Sequence, residues 1–255
     1  MRRSSLGDLA AALSSVRSLN ATVAAHLANR EPPPPPTHQT SLSNWYYAVT
    51  KKAESLELSK LLITSRAWER SGEMSQELPD DLGLIDVRNG ILVINLNAKN
   101  ANTFLLSMVE HHVSSAKNIT DLYAVLLNDI WQLNLPPLST NIVSIWGRLH
   151  ERRAAHPLME VAGRLRSGQS WYRIVEKIRN ACQHRDPTGI LVSRFGRDAA
   201  PLFDQSFFPP DTDERQRSVT QFCPWLADQV YQFMEDAGVA LAASPDLQAA
   251  AGCAG

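Results

Sequence analysis

No two of the three cysteines, Cys182, Cys223 and Cys253, are close enough to form a metal-ligand pair, and their odd number leaves no complete disulfide framework. A reducing, cytoplasmic setting is therefore expected. No apolar run approaches the ~18 residues of a membrane span, so no membrane contact is expected. Arg2 and Arg3 are not followed by the continuous apolar stretch of a secretory signal. There is no phosphate-binding glycine loop, dinucleotide fingerprint, HExxH pair, nucleophile elbow or CxxC pair. Nothing in the sequence asks for a cofactor or a metal. His111 and His112 are adjacent, so on a helix they point to different faces and make a poor metal pair. The chain also lacks a global basic field, its net charge being −1 over 255 residues.

The charge is unevenly spread. Arg148 to Arg197 holds eleven Lys/Arg against four Asp/Glu, net +7, and leaves the remainder acidic. Such a region favours an anionic ligand. Helical periodicity dominates elsewhere, so the fold class is mainly α, with a β-hairpin and a short strand pair added.

Leu6, Leu9, Leu13, Val16, Asn20, Val23 and Leu27 alternate three and four apart, an a/d seam with one polar member. That makes residues 1–31 an amphipathic heptad-like helix, which either pairs with a copy of itself or docks on its own domain. Residues 32–40, with Pro32 to Pro36, are expected to form a stiff proline-rich linker. A domain boundary follows near residue 40. A helical domain spans 41–242, and an Ala-rich flexible tail covers 243–255.

Within that domain a long helix is expected from Ser43 to Arg70, capped by Ser43 or Asn44. Residues 84–95 read as a hairpin about Asn89-Gly90. Four helices follow: Asn100–Ala116, Thr120–Leu133, one from a Ser139 cap to about Arg153, and a short one after Pro157. Beyond Pro187, short strands are expected over Gly189–Phe195 and Leu202–Phe208, then a long helix from Asp213 to Ala242.

Trp171 to Pro187 is the stretch with chemistry. Trp171, Ile174, Val175, Ile178 and Cys182 form one apolar stripe, Ser170 can cap the start, and Pro187 forbids continuation. Glu176, Arg179, Asn180, Gln183 and His184 lie off that stripe. Arg179 and His184, five apart, are ~140° apart around an ideal helix, so their convergence needs a local distortion or a second subunit. The helix C-terminus and Asp186 favour a protonated imidazole at His184, and the nearby arginines oppose it. Without further context, Arg179 pairing with Glu176 and His184 capping carbonyls would account for both residues.

The hexapeptide Arg179-Asn180-Ala181-Cys182-Gln183-His184 resembles the R-x4-6-H motif of the HEPN superfamily, helical domains that bind nucleotides or cleave RNA. Its place, closing a late helix of a helical bundle, is similar too. The resemblance implies a HEPN-like bundle working as a homodimer and a metal-independent endoribonuclease of the toxin or antiphage-defence kind. An antitoxin or regulatory partner would hold it in check. It implies that His184 moves protons, Arg179 binds the scissile phosphate and Asn180 orients one or the other. Asn128, Asp129 and Glu176 would give polar support, and Arg152, Arg153, Lys177 and Arg185 would bind RNA. The other implied reading is an inactive HEPN-like module that binds a nucleotide or a protein. Some toxin members have a tyrosine two residues after the histidine that a partner enzyme modifies; Asp186 stands there, so that control is not expected.

Overall fold

The structure is a computed structural model that describes residues 6–28, 36–65, 85–88, 91–94, 98–131, 133, 135–136, 140–152, 158–167, 170–184, 190–192 and 201–243. Some of these, including residues 36–41, 85–88, 91–94, 98–103, 152 and 184, are described for backbone only. The elements in order are α1 (Leu6–Ala28), α2 (Pro36–Thr64), β1 (Ile85–Arg88), β2 (Ile91–Ile94), α3 (Ala98–Trp131), α4 (Ile142–Arg152), α5 (Leu158–Arg166), α6 (Trp171–His184), β3 (Leu191–Val192), β4 (Leu202–Phe203), a 3-10 turn (Gln205–Phe207), α7 (Glu214–Arg217) and α8 (Val219–Ala242). The fold is mainly α. The two antiparallel strand pairs are β1–β2, with Ile85 opposite Ile94, and β3–β4, with Leu191 opposite Phe203.

The heptad seam of α1 is turned inward. Val16, Val23 and Leu27 of the seam, and Leu19 beside it, are buried in the chain's own core, with Leu9 and Leu13 packed against it, where α1 packs on α8 and α2. Docking, not self-pairing, consumes this seam. Gly238 lets α8 come close: a Cβ there would sit 2.1 Å from Ser15 Oγ. The boundary near residue 40 falls inside α2, because residues 36–40 are helical. Pro36 supplies the first residue, where its fixed φ suits a helix and its missing N–H leaves no bond unmade. Ser43 and Asn44 are therefore interior positions, not caps. Residues 29–35, the turn Asn89-Gly90, Ser139 and the tail from 244 lie outside the described residues.

Residues 98–131 form one helix where two were expected. The supposed break is held by its own side chains. Lys117 forms an ion pair with Asp121, and Thr120 Oγ1 donates to Lys117 O at 2.7 Å. For α4 the cap is Asn141, not Ser139. Asn141 Oδ1 accepts from the N–H of Val143 and of Ser144, both at 3.0 Å, while Asn141 N–H donates back to Ser144 Oγ at 2.9 Å. The last helix is divided. Asp213 caps α7, then Ser218 turns extended and bridges Leu202. Val219 N–H donates to Pro201 O at 3.0 Å, so the capture by β4 separates α7 from α8.

At the centre α8 packs on α1, α2, α3 and α5, and α3 carries α2, α4 and α6. Trp45, Tyr123 and Phe233 interlock edge to face, and Trp45 Nε1 donates to Leu122 O at 2.9 Å. Polar groups are buried with partners. Tyr231 Oη donates to Glu57 Oε2 at 2.8 Å, and Lys60 pairs with the same carboxylate. His112 is fully buried, its Nε2 2.9 Å from Cys223 O and its Nδ1 2.8 Å from Ser59 Oγ. A carbonyl only accepts, so Nε2 carries a hydrogen. Burial pushes the imidazole down to about 4. No helix among the described residues is long and apolar enough to cross a membrane.

Candidate functional site

The apolar side of α6 is set by Tyr172, Ile174, Val175, Ile178 and Ala181, all buried against the core. Cys182, at the stripe's end, is half-buried, and burial with Glu110 nearby pushes its thiol up to about 11. Ser170 starts the helix. Its Oγ donates to Leu165 O at 2.6 Å and accepts from Arg173 N–H at 3.4 Å. This fixes which side of α6 faces outward.

Along the polar side, Arg173 binds Glu176 Oε2 at 2.7 Å. Arg179 is half-buried, and its Nε is buried without a hydrogen-bond partner among the described residues. Lys177, Asn180 and Gln183 are exposed. His184 is the final residue of α6. Its side chain lies outside the described residues, as do the side chain of Arg152 and all of Arg153 and Arg185.

The wall facing Arg179 comes from α3. Lys117 is paired with Asp121 and lies 5.1 Å from the centre of the Tyr172 ring. Burial raises the Asp121 carboxyl above its ordinary range, Glu176 adds to that, and Lys117 and Arg179 oppose it. Burial, then the Glu176 and Asp121 carboxylates, push the Tyr172 phenol well above its usual value. Arg179 thus lies in the field of Asp121 and Glu176, with no ion pair to either among the described contacts.

Of the supporting residues read from sequence, Glu176 adjoins Arg179 and the other two do not. Asn128 is spent on the turn after α3: its Oδ1 accepts from Leu135 N–H at 3.0 Å and its Nδ2 donates to Leu135 O at 3.2 Å. Asp129 lines an apolar cavity of about 300 Å³ walled by Val23, Leu42, Trp45 and Leu126, away from α6. The α3 residues that do face the site are Lys117 and Asp121, which the sequence reading does not include. Their signal was the four-residue spacing of opposite charges.

Among the described residues of the basic stretch, several charges are already engaged. Arg148 pairs with Glu151 at 3.1 Å, Arg164 with Asp236 at 2.6 Å, and Arg173 with Glu176. Arg166 lies over the Trp146 ring at 4.1 Å, and Trp146 stacks on His150 at 5.0 Å. Lys177 and Arg179 stay outside these pairs. Among the described residues no group of three or more His, Cys, Asp or Glu side chains is placed to hold a metal ion. No protein-family model, curated protein or solved structure matches this chain.

Proposed function

We propose that the chain is a HEPN-like, metal-independent endoribonuclease whose site is the polar face of α6. The observation that carries this reading is Arg179. A buried guanidinium N–H without an acceptor costs roughly 1–3 kcal/mol or more, and a planar fork of donors matches a phosphate as it matches a carboxylate. Arg179 keeps this donor free although two carboxylates lie nearby. Asn180 is exposed beside it, and His184 closes the helix five residues on.

RNA brings its own nucleophile. In the proposed reaction the 2′-oxygen attacks the adjacent phosphorus while its proton passes to a base. The bond from phosphorus to the 5′-oxygen then breaks, and that oxygen takes a proton. The products are a 2′,3′-cyclic phosphate and a 5′-hydroxyl. His184 serves in proton transfer, Arg179 stabilises the charge on the phosphorane oxygens, and Asn180 orients the phosphate. A homodimer bringing two α6 C-termini over one cleft meets the need for convergence that a five-residue spacing leaves. Toxin or antiphage activity restrained by a partner fits such an enzyme.

A second reading has its own observation. Among the described residues, ion pairs already engage Arg148, Arg164 and Arg173 of the basic stretch, which suits a non-cleaving module that binds a single nucleotide or a protein. Comparing binding with cleavage separates the two. The nuclease reading expects Arg179→Ala to lose both, and His184→Ala to bind labelled RNA and leave it intact. Binding by the unaltered protein without cleavage of any RNA class would establish the module reading instead.

A further inference from the structure

The heptad seam of α1 is buried in the chain's own core, but α2 presents a second one to solvent. Asn44, Tyr47, Lys51, Glu54, Leu58 and Leu61 are exposed and alternate three and four apart. Three are large and apolar: Tyr47 is 64%, Leu58 59% and Leu61 50% exposed. From Tyr47 to Leu61 the stripe lies on the exposed side of α2, whose other sides pack on α1, α3 and α8, while Asn44 at its start also borders the cavity between α1 and α3. At its middle, Lys51 and Glu54 form an exposed pair at 2.7 Å.

We propose that this face binds α2 of a second copy in antiparallel orientation. Residues 44, 51 and 58 occupy one heptad position, and 47, 54 and 61 the other. In an antiparallel pair of helices, the two positions meet each other across the seam. A two-fold axis between residues 52 and 53 then sets Lys51 against Glu54 of the second copy, Tyr47 against its Leu58, and Asn44 against its Leu61. Each contact occurs twice, as an isologous interface requires. All three layers share that midpoint, so one register satisfies them together. Parallel pairing in register would instead stack Lys51 on Lys51 and Glu54 on Glu54. The charges therefore choose the orientation, and the apolar layers on either side supply the burial.

From Asn44 to Leu61 the seam is about 26 Å long. A single helix pair of that length falls short of the ~800 Å² per partner of a standard interface. The dimer is accordingly a concentration-dependent equilibrium. It is a different contact from the α6 cleft and does not depend on RNA cleavage.

Sedimentation equilibrium of the full chain tests it through charge reversal. Lys51 and Glu54 are on the surface, so their exchange leaves the core untouched. The unaltered protein should self-associate. Lys51→Glu and Glu54→Lys should each weaken association about tenfold or more, because each sets like charges opposite one another. An equimolar mixture of the two variants should recover it, since every Glu then meets a Lys. A monomer at every concentration, association that neither variant weakens, or a mixture no tighter than its components would overturn the proposal. RNA cleavage, followed in the same samples, is read separately: association without cleavage overturns the nuclease reading alone.

Discussion

Glu176 holds Arg173, three residues before it at 2.7 Å, and not Arg179, three residues after it. The choice leaves Arg179 Nε without an acceptor in a half-buried place. Arg173 thus keeps the Glu176 carboxylate occupied. On the nuclease reading, Arg173→Ala should release Glu176 to turn toward Arg179 and compete with phosphate. RNA affinity, measured by filter binding, should fall by more than the loss of one half-exposed cation explains. Replacing Glu176 as well (Arg173→Ala/Glu176→Gln) should restore part of it. Equal affinities in the single and double variants would show that Glu176 does not control Arg179.

His112 predicts an acid-sensitive fold. The unfolded histidine takes up a proton below about 6.5, whereas the buried one resists down to about 4. Burial is the main cause, and the charges of Lys60 and His111 add to it. The unfolded state therefore binds more protons between these values, so stability falls as pH drops through that window and is fully present above it. The loss is on the order of 3 kcal/mol. Urea unfolding at several pH values should show this slope in the native protein and a shallower one in His112→Asn. Parallel slopes would contradict the assignment.

Asn128 separates a structural role from a catalytic one. Both ends of its amide are bound to the backbone of Leu135. Asn128→Ala should cost about 1–3 kcal/mol of stability, since it strips partners from two main-chain groups. On the nuclease reading, its RNA cleavage rate below the midpoint of thermal unfolding should match that of the native protein. A selective loss of turnover at unchanged stability would place Asn128 in the site instead.

The α6 helix was legible because its signals are local. Ser170 and the apolar stripe set its start and its buried side, and both are read from consecutive residues. On α3 the reading failed where it needed tertiary knowledge. Dividing that helix near residue 117 concealed that Lys117 and Asp121 share one face, and so concealed the wall opposite Arg179. Asn128 and Asp129 resemble site residues in sequence because amides and carboxylates look alike there whether they hold a turn or a substrate. The α1 seam was visible as a seam, but periodicity carries no label for its partner, and α8 supplied one. Likewise Glu57, Lys60 and Tyr231 meet only because α2 and α8 pack together.

The most direct test is cleavage of RNA in the presence of EDTA by the native protein and by His184→Ala, with the new ends identified. The nuclease reading predicts fragments ending in 2′,3′-cyclic phosphate and beginning with 5′-hydroxyl from the native protein, and at least a hundredfold slower cleavage from the variant. Intact RNA with the native protein, or equal cleavage by both, would contradict it.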